Sequence, residues 1–150
     1  MSGRCPVLFV GAHNSGRSQM AGGYLRALCG GRVDVRTAGA EHADEVDPVV
    51  VVVMAEEGID LGAVRPSVLS PSDVVASDVV ITVGGADVCP YFHGVRYQDW
   101  EFEDPAVKDM ECVRAVRQEI RLRVEGLLTD LPAVAPPVLP PDAATAGSAG

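Results

Sequence analysis

A chain of 150 residues with 47% hydrophobic, 22% charged and 5% aromatic residues is sized for one globular domain and is too short for two. Its 12 Lys and Arg against 21 Asp and Glu give a net charge of -9, a balance that repels nucleic acid and anionic lipid surfaces. No stretch approaches the roughly 20 apolar residues of a membrane span, and the apolar run after Arg4 is too short for a signal-peptide core, so a soluble, cytoplasmic protein is expected.

Short apolar runs alternate with longer amphipathic segments, the pattern of parallel strands joined by helical crossovers in an α/β sandwich. Pro6 to Val10 reads as a buried first strand. Arg17 to Cys29 reads as a helix with Met20, Tyr24, Leu25 and Leu28 along one face and Gly30-Gly31 past its end. Val33 to Thr37 is a second strand. Asp47-Pro48 supplies a capping residue and a proline at the first helical position, and Gly58 supplies a stop. Between them Val49 to Val53 favour a strand by propensity, so the two signals conflict; the caps decide for a helix. Val79 to Val83 is the third strand. From Pro105 onward, Met110, Val113, Val116, Ile120, Val124 and Leu127 recur at three- and four-residue intervals and predict a long final helix, ended by Pro132. The Pro- and Ala-rich run that follows buries too little apolar surface to offset ordering. The expected organisation is a domain over 1–131 and a disordered appendage over 132–150.

Cys5, Cys29, Cys89 and Cys112 form no C-x-x-C pair, which argues against a disulfide framework and a structural zinc site and for reduced thiols. His42 and His93 have no partners at ligand spacing, so neither a metal nor a cofactor is assigned.

The segment Gly11-Ala12-His13-Asn14-Ser15-Gly16-Arg17-Ser18 lies between a buried strand and a helix N-terminus. Amides at a helix start lack intrahelical partners and carry partial positive charge, so a glycine-bearing loop there wraps a tetrahedral oxyanion readily. Arg17 adds a planar fork of donors, and Asn14 and Ser18 can pin the loop to its own backbone. A plain strand-to-helix turn, with Gly16 at positive φ and an exposed arginine, accounts for the same residues.

The run from Val7 to Ala21 resembles the signature of arsenate reductases built on the low-molecular-weight protein tyrosine phosphatase fold, in their thioredoxin- or mycothiol-coupled branch. Arg36-Thr37-Ala38-Gly39, Met54 to Asp60, Val80 to Gly84, Tyr97-Gln98-Asp99-Trp100 and Asp104-Pro105 resemble the family's later landmarks in order. The resemblance implies a three-layer α/β sandwich, with a four-stranded parallel sheet, helices on both faces and an oxyanion site at the carboxyl end of the first strand. It further implies a loop cysteine that attacks the oxyanion, an arginine that stabilises it and an Asp-Pro aspartate as general acid or base.

Gly11 stands where the resemblance puts the nucleophilic cysteine, and Gly85 stands at a second family thiol, leaving Cys89 of that pair. A loop that keeps its electrostatics without a thiolate points to a phosphate- or arsenate-binding relative that has lost thiol redox chemistry. Two enzymatic alternatives remain. Asp104 and the Arg17 cradle could act on a phosphorylated or phosphonate-like small molecule, or Cys89 could supply the thiol for arsenate reduction or phosphoester hydrolysis. Asp104 also fits a cap of the final helix ahead of Pro105. Tyr97 and Trp100 are candidates for one pocket wall. The expected site is Gly11, Ala12, His13, Asn14, Ser15, Gly16, Arg17 and Ser18.

Overall fold

The computed structural model describes residues 5–41, 43–83, 89–102 and 109–131. His42, Gly85, Asp104 and the expected appendage over 132–150 lie outside these residues. Strands β1 (Cys5–Gly11), β2 (Val33–Gly39), β3 (Val79–Thr82) and β4 (Arg96–Asp99) form one sheet in the order β2-β1-β3-β4, every neighbouring pair parallel. Parallel strands need crossover connections: α1 (Arg17–Leu28) lies between β1 and β2, α2 (Pro48–Ala55) and α3 (Pro71–Val75) lie between β2 and β3, and α4 (Met110–Asp130) follows β4.

Alternation along the buried strands builds two cores at once. Val7, Phe9, Val79 and Ile81 face the larger core with α1, α2 and α4, whereas Leu8, Val10 and Val80 face a smaller one with Val74 of α3. The expected sandwich with helices on both faces is present.

The conflict at Val49 to Val53 resolves for the helix. The Asp47 carboxylate accepts from Val49 N at 3.0 Å, Pro48 occupies the first turn, and Val50, Val53 and Met54 are buried. A cap of this kind contributes about 1 kcal/mol and each buried valine about 1.5 kcal/mol or more, which outweighs the few tenths that separate valine's local preferences. Gly58, at φ +79, lets the chain turn away after the helix.

One expectation is corrected and two elements are added. The final helix is described from Met110, and Asp109 caps it by accepting from Cys112 N at 2.9 Å, whereas the cap expected at Asp104 falls outside the described residues. Helix α3 went unpredicted although Ser70-Pro71-Ser72-Asp73 is a capping box with proline at the first position. Strand β4 went unread from its residues because three of its four are exposed, so it shows no apolar run.

An ionic cluster ties α4 to the end of α2. Arg114 donates to both oxygens of Glu56 at 3.0 and 2.7 Å, and Arg117 reaches Glu56 at 2.7 Å and Val53 O at 2.8 Å. Glu57 accepts from Arg121 at 3.0 Å and from the Tyr24 hydroxyl at 3.1 Å. Burial, then this hydrogen bond, pushes the Tyr24 phenol up to about 12.

Hydrogen bonds from Arg114 and then Arg117 hold the Glu56 carboxyl at about 2, below its ordinary 4.5. A depressed folded-state value means that the stabilisation is complete above the unfolded value and lost as pH falls through the folded one. Urea unfolding at a series of pH values from about 4.5 down to about 2 should therefore show stability falling less steeply in Glu56→Gln than in the parent; identical slopes would remove Glu56 from the acid response.

Candidate functional site

β1 ends at Gly11 and α1 begins at Arg17, leaving the expected loop at the carboxyl end of an inner strand, where open α/β sheets place their ligands. Gly11, Ala12, His13, Asn14, Ser15, Gly16, Arg17 and Ser18 line one cavity of about 90 Å3, joined by Val83. Val83 was missed. It follows β3, the direct neighbour of β1, so its position at the same carboxyl edge was available from the strand pattern.

Four of the loop's carbonyls bond to the segment that follows β2. Gly11 O accepts from Ala40 N at 3.2 Å, Ala12 O from Glu41 N at 3.0 Å, His13 O from Ala43 N at 3.2 Å and Ser15 O from Asp47 N at 2.9 Å. In a planar trans peptide the N–H points opposite to the C=O, so the amides of Ala12, His13, Asn14 and Gly16 face away from the 40–47 segment. The loop packs closely against β2. A Cβ on Gly39 would lie 2.7 Å from Asn14 N and 2.8 Å from His13 C, so only glycine fits there.

Positive φ falls at Asn14 (φ +58), not at Gly16 (φ -134), which corrects the expectation for the turn. An asparagine held there loses about 1 kcal/mol or more relative to a right-handed residue unless its side chain offsets the strain. Asn14 is 1% exposed, and its Oδ1 accepts from Gln19 Nε2 at 2.9 Å, Ser67 N at 2.9 Å and Thr37 Oγ1 at 3.4 Å. Gln19 Nε2 also reaches Asn14 O at 3.0 Å, and Asn14 Nδ2 donates to Ser18 Oγ at 2.9 Å. Gln19, Thr37 and Ser67 thus lock the loop without lining its cavity.

Arg17, the first residue of α1, lines the cavity and donates from Nη1 to Phe102 O at 3.1 Å, which braces the guanidinium. His13 is exposed at the rim, 3.8 Å from Glu41. With Ser18 already accepting from Asn14, its hydroxyl proton is available to the cavity. Amides turned away from the 40–47 segment, a helix start and a guanidinium together have the polarity of an anion site.

Cys89 is set apart from this cavity. It packs against the smaller core and lines a different hollow with Thr82, Tyr91, Tyr97, Gln98 and Asp99, and burial pushes its thiol up, opposite to activation. Neither candidate aromatic forms a wall. Trp100 is buried 5.7 Å from the Phe9 ring, with Arg123 5.3 Å above it, and Tyr97 stacks on Tyr91 at 4.8 Å. Cys5 and Cys29 are buried packing residues, and none of the four cysteines forms a disulfide.

Replacing Asn14 separates strain from bonding. Asn14→Ala should lose about 3 kcal/mol in urea unfolding, because Gln19 and Ser67 donors lose their acceptor while the left-handed turn stays strained. Asn14→Gly should lose about 1 kcal/mol less, and equal losses would mean that the turn relaxes.

The chain matches the low molecular weight phosphotyrosine protein phosphatase family over residues 6–135. A glutaredoxin arsenate reductase of Synechocystis sp. is 34% identical over 128 residues, covering 83% of this chain and 97% of that protein. A thioredoxin-dependent arsenate reductase of Corynebacterium glutamicum superposes with a TM-score of 0.75 at 37% identity, over 84% of this chain; the match spans 61% of that longer chain. An arsenate reductase in its phosphate-binding state gives a TM-score of 0.77 at 33% identity, over 85% of this chain and 99% of that one. This chain therefore belongs to the low molecular weight phosphotyrosine protein phosphatase family, and within it is similar to the arsenate reductases.

Proposed function

We propose that this arsenate reductase-like protein binds a phosphate- or arsenate-type oxyanion in the Gly11–Ser18 cavity without running a thiol redox cycle there. The observation that carries the reading is the direction of the loop's peptides. Four carbonyl bonds to the 40–47 segment turn the amides of those peptides away from it, and Arg17 lines the same cavity with Nη1 held by Phe102 O. Such preorganised donors favour a tetrahedral anion because their orientation is fixed before the ion arrives. The phosphate-binding state of a related arsenate reductase supports the ligand class.

Loss of redox chemistry rests on residue 11. The resemblance assigns the attacking thiolate to this position, and glycine has none to offer. Cys89, with its raised thiol in a separate hollow, is no substitute. A protein that holds the ion and does not reduce it serves sensing, regulation or sequestration of oxyanions.

Calorimetry with phosphate and arsenate tests the binding, and arsenate turnover with a thiol reductant on the same samples tests the chemistry. Arg17→Ala should weaken binding about tenfold or more, the effect of losing a charge-assisted donor pair, and the parent should turn over no arsenate above background. Equal affinity in the two proteins would sink the binding claim. Turnover by the parent would sink the redox claim.

Restoring the side chain is a separate test of the cradle. A Cβ on Gly11 would lie 3.2 Å from Ser18 Oγ and 3.7 Å from Val83 Cγ2, so a shift of a few tenths of an ångström in the serine rotor admits it. Gly11→Cys should yield a thiol that alkylates faster at neutral pH than a model thiol, since the loop amides and Arg17 favour the thiolate. A rate no faster than the model thiol's would mean that the amides do not converge on that point.

A further inference from the structure

β2 is the edge strand on one side of the sheet, and a second cavity, of about 310 Å3, wraps its outer margin. Arg26, Arg36 and Arg65 line it with Thr37, Ser67 and Asp73. Three guanidiniums on one hollow repel one another, and a chain with 21 carboxylates has ample means to neutralise them. It does so only in part. Arg36 meets Asp34 at 3.2 Å, but among the described residues neither Arg26 nor Arg65 forms an ion pair. Arg26 donates to Val35 O at 3.3 Å, and burial pushes its pKa down more than Asp34, acting at longer range, lifts it. The Asp73 carboxylate is committed elsewhere, accepting from Ser70 N at 3.1 Å and Ser70 Oγ at 2.9 Å to cap α3.

We propose that this cavity is a second anion site, in which Arg26 and Arg65 clasp a doubly charged tetrahedral oxyanion while Arg36 stays paired with Asp34. The ligand is a free inorganic oxyanion or the head group of a phosphomonoester. Arginine forks match two oxygens of such a group at once, which a single-point cation does not. The cavity also touches the lock of the first site, since Thr37 and Ser67 line it and both donate to Asn14 Oδ1. Occupancy is therefore expected to change oxyanion affinity in the Gly11–Ser18 loop, a consequence that rests on the binding proposed above; the second site itself does not.

The test is calorimetry on the full chain with inorganic phosphate and, separately, glycerol 3-phosphate. The proteins are the parent, Arg17→Ala and the double variant Arg26→Gln/Arg65→Gln. The parent should take up two equivalents of phosphate. Arg17→Ala should keep one of them, and the double variant should bind that one at least about tenfold more weakly, the change that 1.4 kcal/mol produces. Binding of glycerol 3-phosphate by Arg17→Ala would identify a head-group site; binding of phosphate alone would identify a site for the free ion. Loss of all binding in Arg17→Ala overturns the second site and leaves the loop reading standing, as does a retained equivalent indifferent to the arginine pair. A parent that binds one equivalent, removed by the arginine pair and not by Arg17→Ala, sustains the second site and overturns the loop. Should the double variant not fold, amide spectra of the folded Arg17→Ala protein decide: phosphate should shift Thr37, Arg65 and Ser67, and unmoved signals overturn the site.

Discussion

The candidate site depends on one buried oxygen, Asn14 Oδ1. It gathers donors from three parts of the chain: Gln19 in α1, Thr37 in β2 and the Ser67 amide ahead of α3. A left-handed asparagine costs about 1 kcal/mol or more, and three hydrogen bonds of about 1 kcal/mol each more than offset it. Once that turn is held, the peptides around it have little freedom. The carbonyls find amides at Ala40, Glu41, Ala43 and Asp47, and the opposite ends of those peptides are aimed by default. The cavity's polarity thus follows from bonds made on its outside.

Net charge is a poor guide to such a place. A chain at -9 repels a dianion at long range, but at 0.15 M ionic strength that repulsion fades over about 8 Å. Within the loop, fixed dipoles and one braced guanidinium act at contact distance, where screening by salt is weakest. The same holds at the β2 margin, where arginines outnumber their nearby carboxylate partners while the acids cluster elsewhere, Glu56 and Glu57 against α4 among them. The overall balance argues well against an extended polyanion, which must lie across the whole surface, and hardly at all against a small ion in a shaped hollow.

The strands β1, β2 and β3, the helices α1 and α2 and the loop between β1 and α1 were legible because each carries a local signal: an apolar run, a cap, a glycine at an end. What was not legible is what depends on distant residues. Gln19, Thr37 and Ser67 are ordinary polar residues in sequence, and their common acceptor exists only after β2 is laid beside β1. Asp109 is an ordinary acidic residue in sequence, and the apolar spacing from Met110 does not mark it as a cap; the observed bond from Cys112 N does. Strand β4 is polar because it is an outer strand, so the burial that makes its neighbours conspicuous is missing.

Residue 11 takes part in this network through its main chain alone. Its contribution to the loop is made by the main chain, through Gly11 O to Ala40 N and the parallel register with Gly39. A Cβ there would meet Ser18 and Val83 first, at the cavity floor. The frame that orients the amides and the atom that would react within it are therefore physically separable. Loss of the reactive atom costs the fold little, whereas loss of Asn14 or Gly39 costs it directly, through unpaired donors in one case and a backbone clash in the other. The proposed oxyanion binding therefore draws on the residues that frame the cavity, and not on the one at its floor.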